Sequence, residues 1–325
     1  MEQTVTMQKR KSITIRNEHL RNIQRIYALP TTIIPAISLA VGIGELVIVG
    51  ISSVEIELLL SMYLLTTVGL TVGFHRHLTH RSFRTNTAVR AILTILGSMA
   101  AQGPVLNWVS NHRRHHKYSD QPEDPHSPYL RGEEITGGFR GFWHAHVGWL
   151  FDGEITNAAF FSKDLLRDPA ITKINQLYLT WVFLGLAIPT VLGGLITSTW
   201  IGALQGFLWG GLIRIALVQN ATWTIGSLCH IFGTRPFETN EHSKNNIWLA
   251  IPILGDSWHN NHHTFPDSAI SGLEWWQIDP SGWVIRALEK VGLAWDVKAP
   301  TRSMIEAKKK ARSVKHLVIP HNQAN

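Results

Sequence analysis

Long apolar stretches without charge alternate along this chain with short polar, charged segments. Ile26 to Gly44, Leu58 to Phe74 and Tyr178 to Ile196 contain no Asp, Glu, Lys or Arg, and Trp200 to Trp223 contains only Arg214. Each is near the ~20 residues that a bilayer-spanning helix needs. Glu45, Glu55 and Glu57 lie between the first two stretches. Lys9, Arg10, Lys11, Arg16, Arg21 and Arg25 precede them, and Arg76, Arg81 and Arg84 follow. That bias predicts a hairpin that enters and leaves from the cytosolic side. The uncharged turn Thr197-Ser198-Thr199, flanked by Lys163, Arg167 and Lys173 before and Arg235 and Lys244 after, predicts a second hairpin of the same sense. Trp181, Trp200 and Trp223 fall near helix ends, as an aromatic belt would. Pro30 and Pro35 are expected to kink the first helix or move its start, and Arg214 to snorkel or face the protein interior.

The pattern divides the chain into a leader (1–25), a hairpin (26–74), a polar and interfacial segment (75–176), a second hairpin (177–223), a cap (224–297) and a basic tail (298–325). Within the third part, 88–109 reads as a short re-entrant or interfacial helix. Residues 119–139, rich in Pro, Gly and acids, read as a loop, and 142–151 as a piece at the membrane surface. The expected fold is an all-α membrane protein: four transmembrane helices in two hairpins, with a cytosolic helical cap. The basic leader before a long apolar run reads as a retained cytosolic segment, not a cleaved signal.

Composition adds little until histidine is counted. The 325 residues carry a formal charge of +7, which such a protein owes to cytosolic Lys and Arg, and no Gly-rich phosphate loop or basic stripe points to nucleic acid. The single Cys229 excludes a disulfide framework and a Cys-rich zinc or iron–sulfur site. Histidine occurs 17 times. Trp108 to Pro128 holds His112, His115 and His116, and WHNNHH repeats the spacing as His259, His262 and His263. Residues at i, i+3 and i+4 share a helix face, so each triplet can point into one cavity. HRHLTH adds His75 and His80, and His230 stands alone. These nine exceed the four positions of one tetrahedral zinc, and neutral imidazole suits iron, zinc and copper. Two metals with four or five nitrogens each would use them all. A lone histidine such as His230 is more often structural, and helical spacing turns His77 away. His126, His144 and His146 read as supporting residues, and His19, His242, His316 and His321 as solvated ones. Asp120, Glu123, Asp124 and Asp256 either cap turns or orient ligand N–H groups.

HRHLTH, HRRHH and HNNHH, with SDQPEDPHSP, HVGWL, NATW and CHIFGTRPF, resemble the membrane fatty acyl desaturases of the stearoyl-CoA, delta-9 type, over roughly residues 70–265. The resemblance implies a non-haem di-iron centre (two Fe2+), a four-span mushroom-shaped fold and O2-dependent insertion of a double bond. It implies His75, His80, His112, His116 and His262 on one iron, and His115, His230, His259 and His263 on the other. Trp223 matches a tryptophan lining the acyl tunnel near the substrate's bend, and Thr222 and Trp149 are placed with it.

Three departures bear on function. The family often has Asn four residues before the isolated histidine, holding a water on the second iron; here Gly226 stands there, so Ser227 or a free water substitutes, or the site is more open. An Arg-Asp pair that contacts CoA nucleotide in the animal enzymes is here Ser110-Asn111, and an Arg-Lys pair is replaced near Asp152-Gly153-Glu154. The acyl thioester is therefore expected on CoA or on an acidic acyl carrier protein. The His-Pro-Gly-Gly motif of a fused cytochrome b5 is missing, so electrons come from a separate ferredoxin, rubredoxin or cytochrome b5-type donor. The expected location is a bacterial inner membrane, with the active site on the cytosolic side. The rival readings are an alkyne-forming acetylenase or a hydroxylase on the same scaffold, a non-enzymatic histidine-rich metal carrier, and a zinc membrane hydrolase.

Overall fold

The computed structural model describes residues 13–318, side chains through Ala311; Lys9, Arg10, Lys11 and His321 lie outside the described residues. Four helices are long and apolar enough to cross a membrane: Glu18–Ile48, Ser53–Thr79, Tyr178–Thr197 and Trp200–Ile231. Only 17% of the most apolar window is buried in the first and third, against 50% and 56% in the second and fourth. The second and fourth therefore form the inner pair. Ile37, Val41 and Ile43 on the first, and Phe183, Val191 and Leu195 on the third, are exposed on the outer pair.

Helix α1 (Glu18–Ile48) starts ahead of the uncharged stretch because Asn17 caps it, its Oδ1 accepting from Leu20 N–H at 3.1 Å. Pro30 and Pro35 lie inside it and do not move its start. It rests on the fourth span, where a Cβ at Gly42 would meet Ile213 at 2.3 Å. Glu45, half-buried between them, accepts from the Trp209 indole at 3.1 Å and from Gln205. Helix α2 (Ser53–Val68) begins at a Ser52/Glu55 capping box and runs without a break into a π-helical segment, Gly69–Thr79. Helix α3 (Thr87–Ser98) crosses that segment so closely that a Cβ on Gly69 would stand 2.1 Å from Gly97 N. Small residues are what permit such backbone contact between helices.

Residues 88–109 are not one helix. α3 ends at Ser98, the chain turns through Ala101 (φ 57°) and Gly103 (φ 94°), and α4 (Val105–Tyr118) follows. The turn is buried, so its carbonyls need donors. The fourth span supplies them. Gln219 donates to Ala101 O at 3.0 Å, and Arg214, fully buried, donates to Met99 O at 2.7 Å and to Gly185 O at 2.8 Å. Of the two expectations for Arg214, the interior position holds: its guanidinium binds a carbonyl at the end of α3 and another inside the third span.

The third span is α6 (Tyr178–Thr197), and the fourth runs from α7 (Trp200–Gln205) through a second π segment (Gly206–Ile213) and α8 (Arg214–Gly226) to α9 (Leu228–Ile231). Further helices outside the spans include α5 (Gly138–His146), α10 (His259–Thr264), α11 (Pro280–Lys290) and α12 (Arg302–Val318). The all-α expectation needs one correction, because three two-stranded antiparallel ribbons are present. Thr14–Ile15 pairs with Ile155–Thr156, Arg84–Thr85 with Ala294–Trp295, and Leu130–Arg131 with Glu134–Ile135. They are clasps between distant loops, too short for hydrophobic alternation to reveal.

The Gly69–Gly97 contact sets where the π segment lies. Gly69→Leu should cost about 2–3 kcal/mol through overpacking against backbone that cannot yield, read as a lower Tm of the detergent-solubilised protein. An unchanged Tm would show that the two helices can separate freely.

Candidate metal centre and apolar cavity

Nine imidazoles converge where the inner spans meet the elements that cover them. They form two groups: His75, His80, His112, His116 and His262, and His115, His230, His259 and His263. Within each group the candidate ligand atoms all lie within 4.8 Å of one another.

Local geometry explains the partition. In α4, residues four apart are offset by about 40° around the axis, and residues three apart by about 60° the other way. His112 and His116 therefore enter one group and His115 the other. In α10, His259 and His263 share a group and His262 crosses to the other. The two HxxHH triplets thus interlock, each giving a pair to one group and a single residue to the other. His75 and His80 are five apart, which on an α-helix leaves them about 140° out of line. The π segment corrects this: His80 N–H bonds His75 O at 3.2 Å, an i→i+5 link that stacks one residue over the other. His77 turns away and meets Phe83 O at 3.2 Å.

Asn260 and Asn261 hold α10 in place. Asn260 Oδ1 accepts from Phe237 N–H at 2.9 Å, and Asn261 Nδ2 donates to Ser271 O at 2.9 Å and Gln277 Oε1 at 2.8 Å. The polar middle of HNNHH thus faces the cap while its histidines face inward.

Carboxylates fix the rings. His75 Nδ1 donates to Asp256 at 2.7 Å, His115 Nδ1 to both oxygens of Asp124 at 3.0 Å, and His230 Nδ1 to Asp120 at 3.0 Å. Each bond puts the proton on Nδ1 and leaves the Nε2 lone pair facing the cluster. Burial opposes ionisation of Asp120 and Asp124, yet the imidazoles of His230 and His115 beside them hold Asp120 well below, and Asp124 below, the usual carboxylate range. Burial first, then the neighbouring imidazoles, push His80, His112, His116, His259, His262 and His263 well below the ordinary histidine value, so these rings are neutral.

The Nε2 atoms also meet closely. His75 and His262 lie 3.1 Å apart, His112 and His116 3.1 Å, His116 and His262 3.0 Å, and His230 and His259 3.1 Å. The buried Nε2 atoms of His80, His115 and His263 have no partner at all. Lone pairs so arranged fit two cations with nitrogen-rich shells, and imidazole donors suit iron.

Beyond the three predicted aspartates stand residues the sequence did not single out. Arg76, one position after His75, is buried between Asp256 (2.8 Å) and Asp279 (2.7 Å). Asp279 also caps α11, accepting from Gly282 N–H at 3.0 Å. Glu241 lies 3.7 Å from His263 Nδ1. Only Arg76's place beside a cluster histidine could have marked it.

A largely apolar cavity of about 550 Å³ reaches both imidazole groups, at His75 and His112 of one and His115 and His259 of the other. Trp223, Thr222 and Trp149 line it. Thr222 Oγ accepts from Gln102 Nε2 at 2.9 Å, placing a polar pair in the wall. Trp108, also in the wall, stacks on His112 with centroids 5.1 Å apart. Sequence reasoning passed over Gln102 and Trp108, although Trp108 is one helical turn before His112.

At Gly226 the structure is specific. A Cβ there would stand 2.9 Å from His126 Nδ1, so the His126 ring fills the space a side chain would need. Ser227 does not turn to the cluster: its hydroxyl bonds Trp223 O at 2.8 Å and His146 Nδ1 at 3.0 Å. The acids at 152–154 are engaged too, Asp152 with Arg131 and Glu154 with Arg114.

Removing the Arg76 guanidinium strands two buried carboxylates. Arg76→Met should destabilise the protein by about 3–5 kcal/mol, measured as a fall in Tm in detergent. A Tm within experimental error of the parent would mean that other donors already neutralise Asp256 and Asp279.

Comparison with known proteins agrees with this geometry. The sequence profile described as "Fatty acid desaturase" matches residues 56–298. The chain is 52% identical to the hex-5-enoyl-[acyl-carrier protein] acetylenase of Moorena producens (strain JHB), covering 93% of this chain and 94% of that protein. It is 39% identical to delta-9 acyl-lipid desaturase 1 of Arabidopsis thaliana (75% of each chain) and 36% identical to the sn-1 stearoyl-lipid 9-desaturase of Anabaena variabilis (71% and 79%). Nine converging imidazoles beside an apolar cavity, and these matches over most of the chain, make it an oxidoreductase acting on fatty acyl chains and a member of the fatty acid desaturase family.

Proposed function

We propose that this chain is an O2-dependent desaturase of acyl groups carried on acyl carrier protein, with a non-haem di-iron centre held by the nine histidines. The observation that carries it is the pair of converging imidazole groups that meet at one apolar cavity. Iron bound there would supply O2 activation and hydrogen abstraction from an unactivated methylene. The chain's own residues do the rest. The cavity holds the acyl chain in a dry space, and its contact with both imidazole groups fixes which methylenes lie beside the centre. Asp120, Asp124 and Asp256 keep His230, His115 and His75 in the tautomer that offers Nε2. Trp108, Gln102, Thr222 and Trp223 shape the wall.

The helices are read as two transmembrane hairpins, Glu18–Ile48 with Ser53–Thr79 and Tyr178–Thr197 with Trp200–Ile231. Basic flanks support a cytosolic active site in a bacterial inner membrane. The carrier is read from two features. Ser110-Asn111 and the ion-paired Asp152 and Glu154 offer no basic pair to a CoA nucleotide, and the 52% identical relative is named for an acyl-carrier-protein substrate. That name also favours a second reading, in which an alkene already in the chain is dehydrogenated to an alkyne.

Mass spectrometry decides between them. Saturated and terminally unsaturated acyl groups, each on CoA and on carrier protein, are offered with O2 and a reductant. The expected result is loss of two hydrogens from carrier-protein thioesters, and loss of two from the enoyl thioester marks the alkyne-forming reaction. Gain of one oxygen, or reaction of the CoA thioesters alone, would overturn the proposal. His115→Ala and His262→Ala, one from each group, should each lower turnover more than about a hundredfold and reduce bound iron from two per chain, while the protein stays in the membrane fraction. Full activity in both would sink the di-iron assignment.

A further inference from the structure

The second span shows too little apolar surface to meet a whole bilayer by itself. Its uncharged run begins at Leu58, after Glu55 and Glu57. Leu60, Leu64 and Leu65 are exposed, but no residue from Thr66 to Thr79 is. Leu58 to Leu65 covers roughly 10 Å of helix, against a hydrocarbon core about 30 Å thick. Beyond Leu65 other elements cover the span, so on this side of the molecule their outer faces meet whatever surrounds it.

Three elements form that collar. Helix α3 crosses at Gly69 and packs Leu93 into one cluster with Val72. Helix α11 adds Ile285 to the same cluster, and Ser281 in its first turn donates to Thr71 Oγ1 at 2.7 Å. Residues 247–254 are held by the Tyr63 hydroxyl, which donates to Pro252 O at 2.6 Å. Ser281 N–H also donates to Leu254 O at 3.0 Å, joining this segment to α11. Tyr63, Gly69, Thr71 and Val72 all precede His75, so the collar encircles the span on the bilayer side of the imidazoles.

The collar's outer face is apolar and aromatic. Ile92 on α3, Trp248 and Ile251 on 247–254, and Trp283 on α11 are exposed, Trp248 by 87%. Trp276 and Ile278, just before α11, are exposed as well. No charged residue occurs from Ile247 to Leu254 or from Trp275 to Ile278. The charges around these runs are engaged: Glu274 with Arg302 and Lys309, Asp279 with Arg76, Glu289 with Arg286, and Arg90 of α3 with Asp168. Arg286 and Lys290 follow Trp283 at one and two helical turns.

A contiguous exposed apolar surface marks an interaction site, and Trp bordered by Arg and Lys is the composition of a bilayer interface. We propose that the collar is a lipid-binding surface, seated in the cytosolic leaflet and covered by its phospholipids. This rests on the hairpin reading above. Tyr63, which anchors 247–254, adjoins the exposed Leu64 and Leu65, so the lipid that covers these leucines reaches the collar. The 247–254 segment then has lipid on one side and the acyl cavity on the other. Ile251 is 65% exposed, whereas Ile253 is 1% exposed and lines the cavity. The acyl group is thereby held at the depth of the leaflet, not above it.

The test uses the full-length protein in phosphatidylcholine/phosphatidylglycerol vesicles. Cys229 is buried, so Trp248→Cys, Ile251→Cys and Trp283→Cys each offer one exposed thiol for a fluorescent NBD label. Leu60→Cys, on the span, and Lys308→Cys, on α12, serve as the lipid and water references. Labels at 60, 248, 251 and 283 should lose about half their emission to doxyl-labelled phosphatidylcholine and little to aqueous iodide, and the label at 308 should do the reverse. Three collar positions keep the test valid if one substitution disturbs folding. Iodide quenching at all three as strong as at 308, with lipid quenching retained at 60, would overturn the proposal. Water-like behaviour at 60 as well would overturn the hairpin reading itself, and this inference with it.

Discussion

Lone pairs of neutral imidazoles held 3.0–3.1 Å apart in a buried space repel one another unless a cation stands between them. Much else in this structure serves to hold these rings in place. The carboxylates of Asp120, Asp124 and Asp256 take the Nδ1 protons, so that rotation or tautomerism of these rings breaks a buried charge-assisted bond. Arg76 then neutralises Asp256 and ties it to Asp279 at the start of α11. A buried acid is tolerable only when it is paired, and here the pairing extends from the cluster to a cap element more than 200 residues away in the chain.

The π segment answers a register problem in the sequence itself. Five residues separate His75 from His80, a spacing that no α-helix puts on one face. The segment has no strong reason to be π-helical from propensity alone. The close passage of α3 at Gly69 and Gly97 holds it from one side, and the convergence of its histidines with those of α4 and α10 holds it from the other. A wider turn at a functional site is the usual place for this conformation. Here it is the difference between two histidines in one cluster and two pointing apart.

How much of this was legible in the chain follows from the length scale of each signal. The four spans were readable because uncharged runs near bilayer length are rare by chance, and the triplets were readable because i, i+3, i+4 is a local geometric rule. The structure gathers the same nine histidines into two groups. The division of each triplet between the groups was not apparent from a shared face alone, since it depends on how α4 and α10 approach each other. Arg76, Asp279 and Glu241 were missed because their partners are distant in sequence. Gln102 was passed over within the 88–109 stretch, whereas it bonds Thr222 in the cavity wall. Arg214 was ambiguous because its carbonyl partners, Met99 and Gly185, belong to a turn and a span whose positions no local pattern sets.

Gly226 and His126 show how one small residue changes the surroundings of a centre. With no side chain at 226, the His126 ring lies against the α8 backbone and stacks on His115 with centroids 4.4 Å apart. Its Nδ1 is buried without a hydrogen-bond partner, 4.0 Å from Asp124, the same carboxylate that orients His115. Any side chain at 226 would have to displace that ring and disturb the stack on a cluster histidine. Glycine at 226 is the condition for His126 to stand where it does. The four-imidazole group is then flanked by an aromatic ring, where a polar side chain at 226 would have put an amide or hydroxyl. That exchange alters the polarity beside the apolar cavity without touching any of the nine imidazoles.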